Sequence, residues 1–140
     1  MKGLSVMRIP VAVALAAGLL AGFAPGANAA DPVTAYCGQT KNSSGQRHSC
    51  GRTEFNSGGA IESFRVRDDW ADGHSTVAFW HNEYNGDFGT VWNTSGFGSY
   101  TTEYTDFPEG TRIAFKTCAG ESGSGLILEN TCGSWQWVTA

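Results

Sequence analysis

Charge is scarce in this 140-residue chain: Asp, Glu, Lys and Arg make up 16% of it, and only nine residues are Lys or Arg. Thirteen acids leave a formal net charge of −4, so a phosphate backbone or an anionic membrane surface finds no basic patch to grip. Beyond the N-terminal stretch no segment keeps a helical period long enough to nucleate a helix, which excludes helical bundles. No second apolar run approaches the length of a membrane span. Catalytic signatures are missing as well: there is no G-x-S-x-G element, no H-E-x-x-H and no Gly-rich phosphate loop. The cysteines show no C-x-x-C spacing that would join His48, His74 or His81 in a zinc site. No metal, no cofactor and no enzymatic activity is therefore expected.

What is present starts with a leader. Lys2 and Arg8 precede an apolar stretch from Ile9 to Ala24, Pro25-Gly26 ends it, and Ala27-Asn28-Ala29 offers small residues to a signal peptidase. Residues 1–29 read as a secretory signal and 30–140 as one secreted domain. Cleavage removes Lys2 and Arg8 but no acid, so the net charge moves from −4 to −6. All four cysteines, Cys37, Cys50, Cys118 and Cys132, lie in the exported part. An even count in an exported chain of this size implies two disulfides. Of the three possible pairings, Cys37–Cys50 and Cys118–Cys132 are expected, because each encloses a Gly/Ser-rich segment able to turn back on itself.

Short alternating runs lie between turn residues: 33–37, 61–67, 75–84, 88–92, 98–104, 111–118, 126–129 and 134–138. Seven or eight such strands imply an all-β fold, a small antiparallel β-sandwich or partly open barrel. Asn85-Gly86 is a strong two-residue hairpin signal, and as a two-residue loop it pairs Trp80 with Val91 and Phe79 with Trp92. Val77, Phe79, His81, Glu83, Phe88, Thr90 and Trp92 then share one face. Ala78, Trp80, Asn82, Tyr84, Asp87 and Val91 share the other. The first face has more aromatic bulk and is expected to be core. In 111–118, Ile113 and Phe115 oppose Arg112, Ala114 and Lys116, and 119–125 is expected to be a loop.

The segment from Arg67 to His74 gathers Asp68, Asp69, Asp72 and His74, but Trp70 stands where a calcium loop needs an acid or amide. Asp72-Gly73 reads as a turn. Glu83 and Asp87 fall on opposite faces, which argues against a glycosidase pair. The aromatics are the better lead. Trp80, Asn82, Tyr84 and Asp87 are expected to form an exposed strip in which rings pack on sugar C–H bonds while polar groups take the hydroxyls. Trp135 and Trp137, two apart, point the same way.

The stretch Ala71-Asp72-Gly73-His74-Ser75-Thr76-Val77 resembles, together with Glu109-Gly110-Thr111, Cys118-Ala119-Gly120-Glu121 and Cys132-Gly133-Ser134-Trp135, a group of small secreted disulfide-containing proteins of actinomycete bacteria. The resemblance covers roughly the last seventy residues. It implies export, a β fold and the Cys118–Cys132 link, and it brings no active site. The expected function is non-enzymatic binding of an extracellular polysaccharide or protein, with no membrane association after cleavage. The alternative is a secreted inhibitor or toxin-like protein acting on a foreign protein, with 38–49 as its protruding loop. A small hydrolase comes third.

Overall fold

A computed structural model describes residues 31–140; the expected leader lies outside them. Among the described residues the chain runs β1 (Val33–Tyr36), β2 (Gln39–Lys41), β3 (Arg47–Ser49), β4 (Gly51–Asn56), β5 (Glu62–Asp68) and β6 (Ser75–Asn82). It continues through β7 (Phe88–Asn93), β8 (Tyr100–Thr105), β9 (Arg112–Glu121), β10 (Leu126–Ile127) and β11 (Gln136–Thr139), with one 3₁₀ turn at Glu129–Thr131. All pairings are antiparallel. One sheet has the order β1-β4-β5-β8; the other has β10-β9-β6-β7, with β11 also on β9. The sheets form a half-barrel, with β7 beside β8 at one margin and β1 beside β11 at the other. The short hairpin β2-β3 is a sheet of its own.

The strand count exceeds seven or eight because β2, β3 and β4 carry little apolar alternation. β4 turns Gly51, Thr53 and Phe55 inward, and only the last looks like core in sequence. Polar bonding compensates for the rest. The buried Thr117 and Thr53 hydroxyls lie 2.8 Å apart, and Thr117 Oγ1 donates to the Ala35 carbonyl at 2.9 Å, which ties the two sheets together. Strand β9 also runs on to Glu121, through residues expected to be a loop. Ala119 and Gly120 are small enough to sit beneath neighbours, and the Trp92 ring occupies the space above Gly120.

The core is a cluster of rings from both sheets. Phe55 lies 4.9 Å from Phe64 and 6.0 Å from Phe115, centroid to centroid. Val66, Ala78, Val91 and Ile113 complete it, all at most 1% exposed. A fully buried side chain of this size contributes about 1.5–3 kcal/mol. Cys37–Cys50 and Cys118–Cys132 are the disulfides. Both pairs are those expected.

The β6-β7 hairpin departs from its expected register. Trp80 pairs with Gly89 and Phe79 with Thr90, a shift of two residues. A two-residue type I′ loop needs positive φ at both central positions, and no residue other than glycine has positive φ in the described chain. The turn instead spans Glu83 to Gly86, closed by the Asn82 N–H donating to the Asp87 carbonyl at 2.7 Å. Asn82 Oδ1 accepts the N–H of Tyr84 at 2.9 Å, and Gly86 alone takes positive φ, +80°. A shift of two preserves side-chain parity. Both face groupings therefore stand.

The choice between the faces reverses except at Val77, which is fully buried on the face expected to be core. Ala78 and Val91 are core, and Trp80 packs against it, stacked at 6.4 Å on Phe64 and edge-on at 5.3 Å to Phe107. Its ring fills the space where a side chain at position 89 would stand, so Gly89 is what lets it lie flat. Phe88, on the face expected to be core, is 70% exposed.

Candidate functional site

The expected strip does not form as an exposed surface. Trp80 is half-buried against the core and Asn82 is 3% exposed, committed to the turn. Tyr84 and Asp87 are exposed, at the tip of the hairpin. Hydrogen-bond needs explain the split: Asn82 serves the orphan N–H groups of a four-residue turn, and a buried amide is held by such bonds.

The opposite face carries Phe79, Phe88, Trp135 and Trp137, of which Phe88 and Trp137 are exposed and the other two half-buried. Pairing places His81 opposite Ala114 on β9, and Trp137 of β11 opposite the same Ala114. Two residues along, Phe79 faces Lys116, and Trp135 meets Phe79 edge-on at 5.8 Å. Phe88 lies 6.2 Å from Phe79 on the other side. The small Ala114 at the centre keeps the floor low between the rings. A shallow hollow of about 390 Å³ results, lined by Phe79, His81, Glu83, Ala114, Trp135 and Trp137.

Polar groups fix these rings. The Trp137 indole N–H donates to Glu83 Oε1 at 3.0 Å, and Arg112 Nε meets Glu83 Oε2 at 3.1 Å. Lys116 Nζ donates to Glu129 at 2.8 Å while standing 5.0 Å from the Trp135 ring and 5.7 Å from Phe79. Each charge on the face thus has a partner of opposite sign, and the cation–π contacts hold Lys116 between the rings. Beyond Glu83 lies a second hollow of about 480 Å³, bounded by Tyr84, Pro108, Glu109 and Arg112. Glu83 forms the wall between the two.

Trp135 and Trp137 line one hollow, as their spacing of two implies, whereas Phe79 and Phe88, expected inside, stand on the outer face. The signal that would have corrected this is on β9. Its alternation of Ile113 and Phe115 against Arg112 and Lys116 is unambiguous, and Phe79 pairs with Lys116.

The acids of 68–72 separate rather than converge. Asp69 takes Arg52 at 2.8 Å and Arg67 at 2.9 Å. Asp72 accepts the His74 N–H at 2.9 Å, making the expected turn, and the Thr40 hydroxyl also donates to it. His74 Nδ1 lies 2.6 Å from Glu121. Among the described residues no three His, Cys, Asp or Glu side chains converge as a metal site would require.

No protein-family model, curated protein or solved structure matches the chain. The site's own chemistry therefore carries the functional argument.

Proposed function

We propose that this is an exported, non-enzymatic binding protein that takes a neutral polysaccharide on the outer face of its five-stranded sheet. The observation that carries the reading is the hollow in which Phe79, Trp135 and Trp137 stand around the small Ala114. Sugars present flat C–H surfaces that pack on rings, and hydroxyls that exchange hydrogen bonds with groups such as Glu83, Arg112 and His81. The charges on this face are internally paired, which suits a neutral ligand. Contacts of this kind give modest affinity, about −4 to −8 kcal/mol, with little dependence on salt. The leader and the resemblance to exported actinomycete proteins support the compartment.

The test is retention on insoluble cellulose, chitin and cell-wall glycan. Wild type should be retained on at least one polymer, and the Trp135→Ala/Trp137→Ala double variant should elute with the void. Retention of the double variant at wild-type level, or of neither protein on any polymer, would overturn the assignment.

One observation favours the inhibitor reading instead. Residues 43–48 of the hairpin β2-β3 are exposed, and Cys37–Cys50 pins its base. Failure of every polymer would direct attention to this hairpin.

A further inference from the structure

At the other end of β6, a hollow of about 390 Å³ opens between the β5-β6 connection and the loop from β7 to β8. Asp68, the last residue of β5, lines it and is 1% exposed. Its Oδ1 accepts the Trp70 N–H at 3.1 Å, and no described residue gives its Oδ2 a hydrogen bond or an ion pair. The nearby cationic side chains are already committed: Arg52 and Arg67 both hold Asp69, and His74, which lines the same hollow, lies 2.6 Å from Glu121. Burial pushes the Asp68 carboxyl above its ordinary value; the Trp70 N–H pulls against this, and the neighbouring Asp72 and Asp69 push the same way as burial. A buried acid with no compensating charge is costly, and a bound cation would offset that cost.

Two rings, Trp70 and Phe97, line the same hollow. Trp70 stacks on His48 at 5.1 Å, and its indole N–H is buried without an acceptor among the described residues. Phe97 is 64% exposed and stands at the mouth. The frame is fixed by backbone bonds. The Asp68 N–H donates to the Ser99 carbonyl at 3.1 Å, and the Asp68 carbonyl accepts from Gly98 at 2.9 Å. The fully buried Asn93 carboxamide grips Ser99 O at 2.9 Å and the Ser95 N–H at 3.0 Å. The carboxylate therefore sits in a preformed cup rather than on a mobile loop.

We infer that this cup binds a primary ammonium group, which donates to Asp68 Oδ2 while its charge faces the rings of Trp70 and Phe97. A lone carboxylate with aromatic walls suits an ammonium, whose donors reach one acceptor and whose charge is attracted to ring faces. A divalent metal would want several oxygen ligands, and no such cluster is built here. The ammonium can come from a lysine side chain or an amino sugar. This site shares no residue with the hollow around Ala114, so the two proposals stand or fall separately.

The experiment is an NMR titration of the ¹⁵N-labelled protein with butylammonium, Nα-acetyl-lysine methylamide and a glucosamine oligomer. Butanol and an N-acetylglucosamine oligomer serve as neutral controls. The Trp70 indole, Phe97 and Gly98 resonances should move saturably with the ammonium compounds and not with the controls. The tighter of the lysine and glucosamine arms identifies the source. Asp68→Asn should weaken binding at least tenfold, whereas Tyr104→Ala, at an exposed residue outside both hollows, should leave it unchanged. If Asp68→Asn loses its folded spectrum, Phe97→Ala carries the test, with the same weakening expected. Absence of shifts at these resonances, equal shifts from neutral compounds, or unchanged affinity in the folded variant would each overturn the site.

Discussion

The two faces of the five-stranded sheet carry similar aromatic bulk and meet different surroundings. On the inner face the Trp80 ring lies over Gly89, and Trp80 and Phe115 both meet Phe64 of the opposite sheet, with Phe107 edge-on to Trp80. On the outer face Phe79, Trp135 and Trp137 alternate with Lys116, Glu83 and Arg112, which no opposing layer could bury without stranding their charges. Ring count therefore does not decide which face is core. What stands between the rings does, because an opposing sheet needs room and makes each charge it covers costly.

That lesson bears on what was legible. The β character, most strand positions, the two side-chain sets of the hairpin and both disulfides could be read from alternation and cysteine spacing. The core face could not be read from β6, where Phe79 and Trp80 put large rings on both sides. It was readable on β9, where Arg112 and Lys116 oppose Ile113 and Phe115, but transferring that answer to β6 required knowing that the two strands pair. β4 stayed hidden because its inward residues are Gly51, Thr53 and Phe55, whose burial rests on hydrogen bonds and close backbone approach. The Asn85-Gly86 signal was outcompeted by Asn82, whose side chain satisfies a four-residue turn. The expected strip fails for the same reason as the expected core: Trp80 and Asn82 lie on the inner face.

The largest expected effect separates the faces directly. Phe64→Ala and Trp80→Ala should each cost about 3–5 kcal/mol in urea unfolding, since each opens a cavity between the sheets. Phe88→Ala, at 70% exposure, should change stability by about 0.5 kcal/mol or less. Equal losses from Trp80→Ala and Phe88→Ala would mean that both faces are covered, and the outer binding face would be lost with that result.

A second, smaller effect divides the disulfides. Cys37–Cys50 and Cys118–Cys132 close loops with separations of 13 and 14 residues, so removing either as a double Cys→Ala variant should cost about 3 kcal/mol. Their effects on polysaccharide retention should differ. Cys118 holds Cys132, only three residues ahead of Trp135, and so anchors the segment that brings Trp135 and Trp137 to the outer face. Cys37–Cys50 anchors the β2-β3 hairpin. At a temperature where both variants remain folded, loss of Cys118–Cys132 should weaken retention and loss of Cys37–Cys50 should not. Equal retention by the two variants would disconnect the rings from their staple.

The smallest effects test the same inside-versus-outside distinction within one dipeptide. Asp68 points inward and lacks a cation, whereas Asp69 sits on the outer side between Arg52 and Arg67. Burial raises the folded Asp68 carboxyl above its ordinary value near 3.8, so the folded chain holds that proton more tightly than the unfolded chain. Its contribution is fully present below the unfolded value and is lost as pH rises through the folded one. Asn cannot ionise and keeps an oxygen for the Trp70 N–H, so Asp68→Asn should be more stable than wild type at pH 7. The advantage should shrink below about pH 4, where the wild-type acid is protonated in both states. Asp69→Asn should move the other way at pH 7, by about 0–1 kcal/mol for each partly exposed pair lost. Urea midpoints at pH 4 and pH 7 measure both changes. If Asp68→Asn is destabilising at pH 7 and neutral at pH 4, Asp68 is ionised with a partner. Both the inner-outer contrast of this dipeptide and the open acceptor in the ammonium cup would then be wrong.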